Sequence, residues 1–484
     1  MGADLVPQNY RLLKVFFGLA LLPGLLLQSA CSAIDQPNLG ELYDQAAKVS
    51  DLDRNPIIVI PGILGSKLRA NGDGAVAWGS FIGAYADPGE PEGARLLALP
   101  MSKGQSLGEL QDEVEPSSVL DSITVSLLGL PFEQGAYVHI LRTLGAGGYR
   151  DEGFATAFDI DYGEEHFTCF QFPYDWRRDI VESAKDLHNF IIAQRADVLK
   201  QFEEKYGVTD HDPKFDLVAH SMGGLVARYY LRYGTQDLPA DGSLPELTWE
   251  GARYVDRAVL IGTPNAGSLK AFQQLLEGAD FSPITPSYSP QILGTMPSIY
   301  QLLPRERHGA VVDASNPDQK IDDYMNPALW EKMGWGLADP SQDQLLVALM
   351  PGIDDAEERR RTAIDHQAKA LRRASQFMRA MDLPAAPPDG LSLHLIAADS
   401  EPTDAIAAVD LVSGDVDVID EAPGDGVVLR TSTLMDEREG KPWTPKLQTP
   451  IDWETVLFVF DDHQGMTRNP VFTDNILYFL LEAP

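Results

Sequence analysis

Residues 215–225 read Phe215-Asp216-Leu217-Val218-Ala219-His220-Ser221-Met222-Gly223-Gly224-Leu225. A five-residue strand, Phe215–Ala219, is followed after His220 by a serine, and a helical stretch to Tyr233 follows with almost no gap. The pattern is Gly-x-Ser-x-Gly with Ala219 in place of the first glycine. A serine hydroxyl is a poor nucleophile unless it is exposed, isolated and next to a base. A tight strand-to-helix turn supplies that exposure, and small residues two before and two after let strand and helix approach. The amide of Met222 then opens a helix, where a developing negative oxygen is favoured. A tight turn in a nucleotide-binding crossover is the bland alternative.

Outward from this turn the chain alternates strands and helices. Strands are expected at Pro56–Ile60, His166–Phe172, Phe215–Ala219, Tyr254–Ile261, Leu391–Ala398 and Thr455–Phe460. Helices are expected at Ala136–Leu144, Ile180–Tyr206, Met222–Tyr233, Ala356–Met381 and Pro470–Leu481. This order predicts an α/β fold, a mostly parallel central sheet with helices on both faces. Arg69 to Leu130 is irregular and rich in Gly and Pro, and it reads as covering loops. The charge run at Glu357–Arg361 reads as a solvated face. The 484 residues thus resolve into one domain, 55–484, with insertions at about 69–132 and 269–388, behind a leader at 31–54.

Lys plus Arg number 38 and Asp plus Glu 72, a net charge of −34. That surplus excludes a nucleic-acid partner, since polyphosphate binding needs cations. It also opposes adsorption to anionic lipid by charge, so membrane-surface contact would fall to apolar residues between Phe81 and Phe132 or to an attached lipid. Those apolar residues serve equally well as core beneath the insertion. At the amino terminus, Arg11 and Lys14 precede the apolar run Val15–Leu27, then Ser29-Ala30-Cys31. This predicts a signal peptide over 1–30 and an exported protein: periplasmic, membrane-anchored as a lipoprotein, or secreted. Cys31 is the candidate lipid-attachment residue, although Gln28 departs from a lipoprotein box. Cys169, mid-strand, reads as a buried inert thiol. Two cysteines make neither a disulfide framework nor a thiolate zinc site.

A base and an acid should follow the serine in the order Ser, acid, His. His463 follows the Thr455–Phe460 strand at its carboxyl end, the edge where open α/β sheets gather their active groups. His366, in the charged helix, and His394, within a strand, have bland explanations, and His308 sits in the insertion beside Arg305 and Arg307. Two carboxylates compete as the acid: Asp399, directly after a strand, and Asp425, between Gly424 and Gly426.

Several segments together resemble the lecithin:cholesterol acyltransferase family of α/β-hydrolases, which includes lysosomal phospholipase A. They are Ile58 to Leu68 with its Pro61-Gly62-Ile63-Leu64-Gly65 core, Phe172-Pro173-Tyr174-Asp175-Trp176-Arg177, the Ser221 turn and Ile261 to Gly267. Pro297-Ser298-Ile299-Tyr300, Gly424-Asp425-Gly426-Val427-Val428 and the His463 segment complete the set. The resemblance implies an α/β-hydrolase fold with lid insertions. It places the acid at Asp425, within a pattern whose usual Thr is Val427 here. It makes Ile63 and Met222 the oxyanion donors and Trp78 a substrate-binding lid residue, though the flanking lid cysteines are missing. Tyr174 to Arg177 read as scaffold. The implied activity is a serine lipid acyl hydrolase or O-acyltransferase with an ester-lipid substrate and neither metal nor organic cofactor. A carboxylesterase, thioesterase or peptidase on the same fold, and a non-catalytic lipid-binding lipoprotein, are the rival readings.

Overall fold

Ile57-Ile58-Val59-Ile60 can be buried throughout only if the strand has partners on both edges and cover on both faces, and that is its setting. In the computed structural model this strand, β1 (Ile57–Ile60), is fully buried. The structure describes residues 37–484 except Asp51, Asp73, 81–84, Asp121, 128–129, Ala136, 154–159, 164–165, 281–285, 439–444 and Pro484. Cys31 and the candidate signal peptide lie outside the described residues. Residues 39–484 form one compact unit.

After β1 the elements that position the site are β2 (Ser66–Ala70), β3 (Val76–Trp78), β4 (Val114–Val119), α1 (Val138–Ala146), β5 (Cys169–Gln171), α2 (Ile180–Tyr206), β6 (Phe215–His220) and α3 (Met222–Tyr233). Then come β7 (Val255–Ile261), β8 (Val311–Asp313), β9 (Asn316–Lys320), α4 (Ala356–Met381), β10 (Ser392–Ala398), β11 (Glu401–Val409), β12 (Val416–Gly424), β13 (Thr455–Val459) and α5 (Pro470–Leu481). The central sheet has the order β13-β10-β7-β6-β1-β5, and every pairing in it is parallel.

Alternate side chains of each strand feed opposite faces. Ile58, Ile60, Leu217, Ala219, Ala258 and Leu260 pack with α2 and α3. Ile57, Val59, Val218, Val259 and Ile261 pack with Ile140, Leu141 and Leu144 of α1 and Phe472, Ile476 and Leu477 of α5. All twelve residues of α3 are buried, so it is the central helix of its face.

Two expectations need correction. The stretch from Arg69 to Leu130 is not simply loop: β2, β3 and β4 form an antiparallel sheet, and Pro91–Leu97 is helical. These elements are short and broken by Gly and Pro, so periodicity could not reveal them. They hold because Leu68, Trp78 and Val119 are buried. The strand expected at His166–Phe172 is only Cys169–Gln171.

A second sheet has the order β9-β8-β11-β12, and the chain enters its strand β11 directly after β10. Helix α4 is exposed at Glu357, Glu358 and Arg361, but from Thr362 on it buries a stripe that includes His366, Ala370, Ala374 and Phe377. Among the described residues no helix is long and apolar enough to cross a membrane. Cys169 is buried, and burial pushes its thiol pKa well up.

Candidate active site

The turn between β6 and α3 forces Ser221 to φ 52° and ψ −126°. A non-glycine residue adopts that backbone only under tertiary constraint. The constraint is visible. The Ser221 amide donates to Ile261 O at 2.7 Å. A Cβ on Gly223 would stand 2.4 Å from Pro61 O, and one on Gly224 would stand 2.0 Å from Thr263 Oγ1. Glycines at both positions let the start of α3 wedge between the ends of β1 and β7.

The chain after β13 returns His463 to this turn. Its Nε2 lies 3.0 Å from Ser221 Oγ, and its Nδ1 lies 2.8 Å from Asp425 Oδ2. The remaining oxygen of Asp425 accepts from the amides of Val427 at 3.0 Å and Val428 at 2.7 Å. The His463 amide also donates to Asp425 O at 2.9 Å. All three side chains are buried, Asp425 at 1% exposure, His463 at 7% and Ser221 at 8%. With the carboxylate accepting at Nδ1–H, the Nε2 lone pair faces the serine hydroxyl. Burial works against charging His463, but the adjacent Asp425 carboxylate outweighs it and the ring's pKa is raised.

Asp399 does not reach this line: its carboxylate pairs with Arg430. The other histidines are engaged elsewhere. His366 meets Thr295 O at 2.9 Å, His394 stacks on Phe479, and His308 faces Glu437.

The second half of the site is the turn after β1. A Cβ on Gly62 would sit 2.8 Å from Ser221 Cβ, so glycine there lets the turn lie against the serine. Leu64 takes φ 64°. The turn is held from outside. Tyr174 Oη donates to Pro61 O at 2.8 Å, Trp176 Nε1 to Ser66 O at 3.2 Å, and Trp78 Nε1 to Leu64 O at 2.8 Å. Arg177 is fully buried against Asp175 and Asp112 and caps the carbonyls of Leu96 and Leu97. The Tyr174–Arg177 block therefore grips the turn that carries Ile63.

Trp78, the residue expected to meet substrate, is packed inside the molecule. It is 1% exposed and edge-on to Trp176 and Tyr288, with ring centroids 5.6 and 5.8 Å away. An indole whose N–H is spent on Leu64 O braces the turn in this conformation. Two residues that strand and helix patterns did not single out also touch the site. Tyr137 accepts from the Gly62 amide at 2.7 Å, and His220 lies against both Tyr137 and His463. His220 stands next to the serine in sequence, a signal that could have been read. Nothing in the sequence marks Tyr137.

A cavity of about 1370 Å³ lies elsewhere. It lies along α2 and α4 beside Asp175, Glu182, Asp186 and Arg372, and includes none of Ser221, Asp425 or His463. Among the described residues no group of three or more His, Cys, Asp or Glu is placed to hold a metal.

The family model for lecithin:cholesterol acyltransferase matches residues 156–342. That stretch contains Ser221 but neither Asp425 nor His463. No curated protein matches the chain. Among solved structures, a chain of the Tle4–Tli4 complex is 16% identical with a TM-score of 0.52 and shares the fold. The alignment covers 88% of this chain and 98% of that one. Lipase 1 from Pelosinus fermentans aligns at 12% identity over 89% and 99% of the two chains, with a TM-score of 0.33. Phospholipase PlaB from Legionella pneumophila aligns at 12% identity over 68% and 55%, with a TM-score of 0.29. The fold is that of an α/β-hydrolase, and the resemblance to the lecithin:cholesterol acyltransferase family holds over 156–342.

Proposed function

We propose that this protein is a serine acyl hydrolase or O-acyltransferase acting on ester-linked acyl chains of lipids. The observation that carries the reading is the buried line from Ser221 Oγ through His463 to Asp425, at 3.0 and 2.8 Å. Ser221 Oγ attacks the ester carbonyl carbon and passes its proton to His463 Nε2. Asp425 holds the ring with Nδ1 protonated and stabilises the imidazolium. The carbonyl oxygen becomes an oxyanion facing the amides of Ile63 and Met222, each such donor contributing on the order of 3 kcal/mol. Collapse breaks the ester C–O bond, the alcohol leaves with the proton from His463, and an acyl-serine remains. Water or a lipid alcohol then gives up its proton to His463 as it attacks the acyl carbon, the acyl C–Oγ bond breaks, and His463 returns the proton to Ser221 Oγ, releasing acid or new ester.

The match of residues 156–342 to the acyltransferase family supports a lipid ester as substrate. The apolar run ahead of Cys31 supports export, with Cys31 as the point of lipid attachment and membrane contact.

A fluorophosphonate probe should label the protein, and Ser221→Ala should abolish labelling and ester turnover. Labelling that survives this substitution would defeat the reading. Incubation with phospholipid and a long-chain alcohol then separates the two acceptors. Fatty acid alone means hydrolysis, and a new ester means acyl transfer.

A further inference from the structure

Tyr137 and His220 are buried beside Ser221 and have no part in the steps above. Their hydrogen bonds can be directed without ambiguity. A backbone amide only donates, so Gly62 N–H gives its proton to Tyr137 Oη at 2.7 Å. A carbonyl only accepts, so His220 Nε2 carries a proton and donates it to His463 O at 3.2 Å. Burial and the neighbouring His463 hold His220's pKa down at about 3, so its ring is neutral and Nδ1 is bare. Tyr137 Oη, 3.1 Å away, must then donate to that nitrogen. The result is one directed chain: Gly62 N–H to Tyr137, Tyr137 O–H to His220, His220 N–H to His463 C=O.

Each end of this chain is a working part of the site. Gly62 precedes Ile63 and lies against Ser221. The His463 backbone is held at its other end by Asp425 O, which accepts its amide proton at 2.9 Å. We infer that Tyr137 and His220 are positioning residues that lock the turn presenting the Ile63 amide in register with the backbone of His463. Oxyanion donor and base then keep a fixed separation while charge moves between them. This rests on the serine mechanism proposed above. A neutral His220 also suits the reaction, because its ring centroid is 5.0 Å from that of His463. A second cation there would oppose the imidazolium that forms when Ser221 attacks.

The test measures kcat and KM separately on one soluble ester. Tyr137→Phe keeps the ring and removes only the hydroxyl. It should lower kcat about ten- to hundredfold, short of the roughly 10²- to 10³-fold cost of deleting an oxyanion donor outright. KM should stay within about twofold, because a register error is felt in the transition state more than in the bound ester. His220→Phe should fall similarly, and the double variant should be no worse than the weaker single, as expected for parts of one chain. His220→Gln retains an N–H toward His463 O and should recover part of the loss. Unfolding midpoints and near-ultraviolet circular dichroism show whether each variant is folded. A folded Tyr137→Phe protein with wild-type kcat overturns the inference, and so does strict additivity of the two single losses. Ser221→Ala separates the two claims. If labelling depends on Ser221 while Tyr137→Phe turns over normally, only the positioning role fails; if labelling survives Ser221→Ala, the mechanism beneath it fails too.

Discussion

Asp399 and Asp425 stand at the base of the same hairpin and meet opposite fates. The chain leaves the central sheet at the end of β10 and runs out along β11. It returns on β12, where Glu401 pairs with Gly424 and bridges to Asp425. Asp399, at the exit, keeps 20% of its side chain exposed and pairs with Arg430, itself 42% exposed. Asp425, at the return, has a fully buried carboxylate that accepts two backbone amides and His463. Gly426 takes φ 86° and donates its amide to Thr403 Oγ1 at 2.8 Å, which closes the turn around the carboxylate. Lying at the end of a central strand is therefore not what qualifies a carboxylate to orient the histidine. It must be free of a competing cation, supplied with fixed backbone donors and dry. An Asp already paired with an arginine would spend its charge there.

The sharpest way to break this contrast is to remove each charge in turn. Asp425→Asn should lower kcat by about 10³- to 10⁴-fold, since an amide can hold His463 in the wrong tautomer. Asp399→Asn should leave kcat within about twofold, because the partner of its carboxylate is Arg430 rather than His463. Steady-state kinetics on one ester decides it. Comparable losses in the two variants would mean that the hairpin base works as one charged unit and that Asp399 shares the role of Asp425.

The sequence reached both carboxylates but could not rank them on chemistry alone, and the reason is physical. β1, β6 and α3 are legible because continuous burial leaves an unbroken apolar run or a serine turn with small neighbours. Met222–Tyr233, Ala356–Met381 and Pro470–Leu481 have the bounds expected of them. The second sheet is silent in the sequence. Most of β12 is exposed and carries Asp417, Asp420 and Glu421, so it has no apolar alternation, and β11 finds its other partner, β8, almost a hundred residues upstream. Without that hairpin nothing indicates that residue 425 comes back beside residue 399. Tyr137 is unreadable for the same reason: its value lies in reaching Gly62, 75 positions away.

A smaller effect separates the two acids by pH. Burial alone would lower the pKa of His463; the charge and hydrogen bond of Asp425, with a further contribution from Asp462, reverse the sign. His463 must be neutral to take the serine proton, so kcat/KM should rise with pH through a midpoint above the ordinary histidine value of about 6.5. Asp425→Asn removes the main raising influence and leaves the burial, so the acid limb of its residual activity should move to lower pH. Asp399→Asn should leave the limb where it is, because Asp399 is not among the groups that raise His463. A limb that moves in the Asp399 variant would mean that its charge is felt at the histidine after all.

The smallest expected difference lies in stability, and it tests what Asp399 is for. A partly exposed ion pair contributes less than about 1 kcal/mol and fades with added salt. Arg430 has a second attachment, since its guanidinium carbon lies 3.7 Å from the centre of the Phe458 ring, and a cation over an aromatic face contributes roughly 0.5–1 kcal/mol at such sites. Asp399→Asn removes only the first of these, whereas Arg430→Ala removes both along with the packing of the side-chain stem. Denaturant midpoints should therefore rank wild type above Asp399→Asn and Asp399→Asn above Arg430→Ala, with the first gap closing in high salt and the second persisting. If Asp399→Asn proves the more damaging of the two, Asp399 would have to hold more than Arg430, and the exit of the hairpin would be as tightly built as its return.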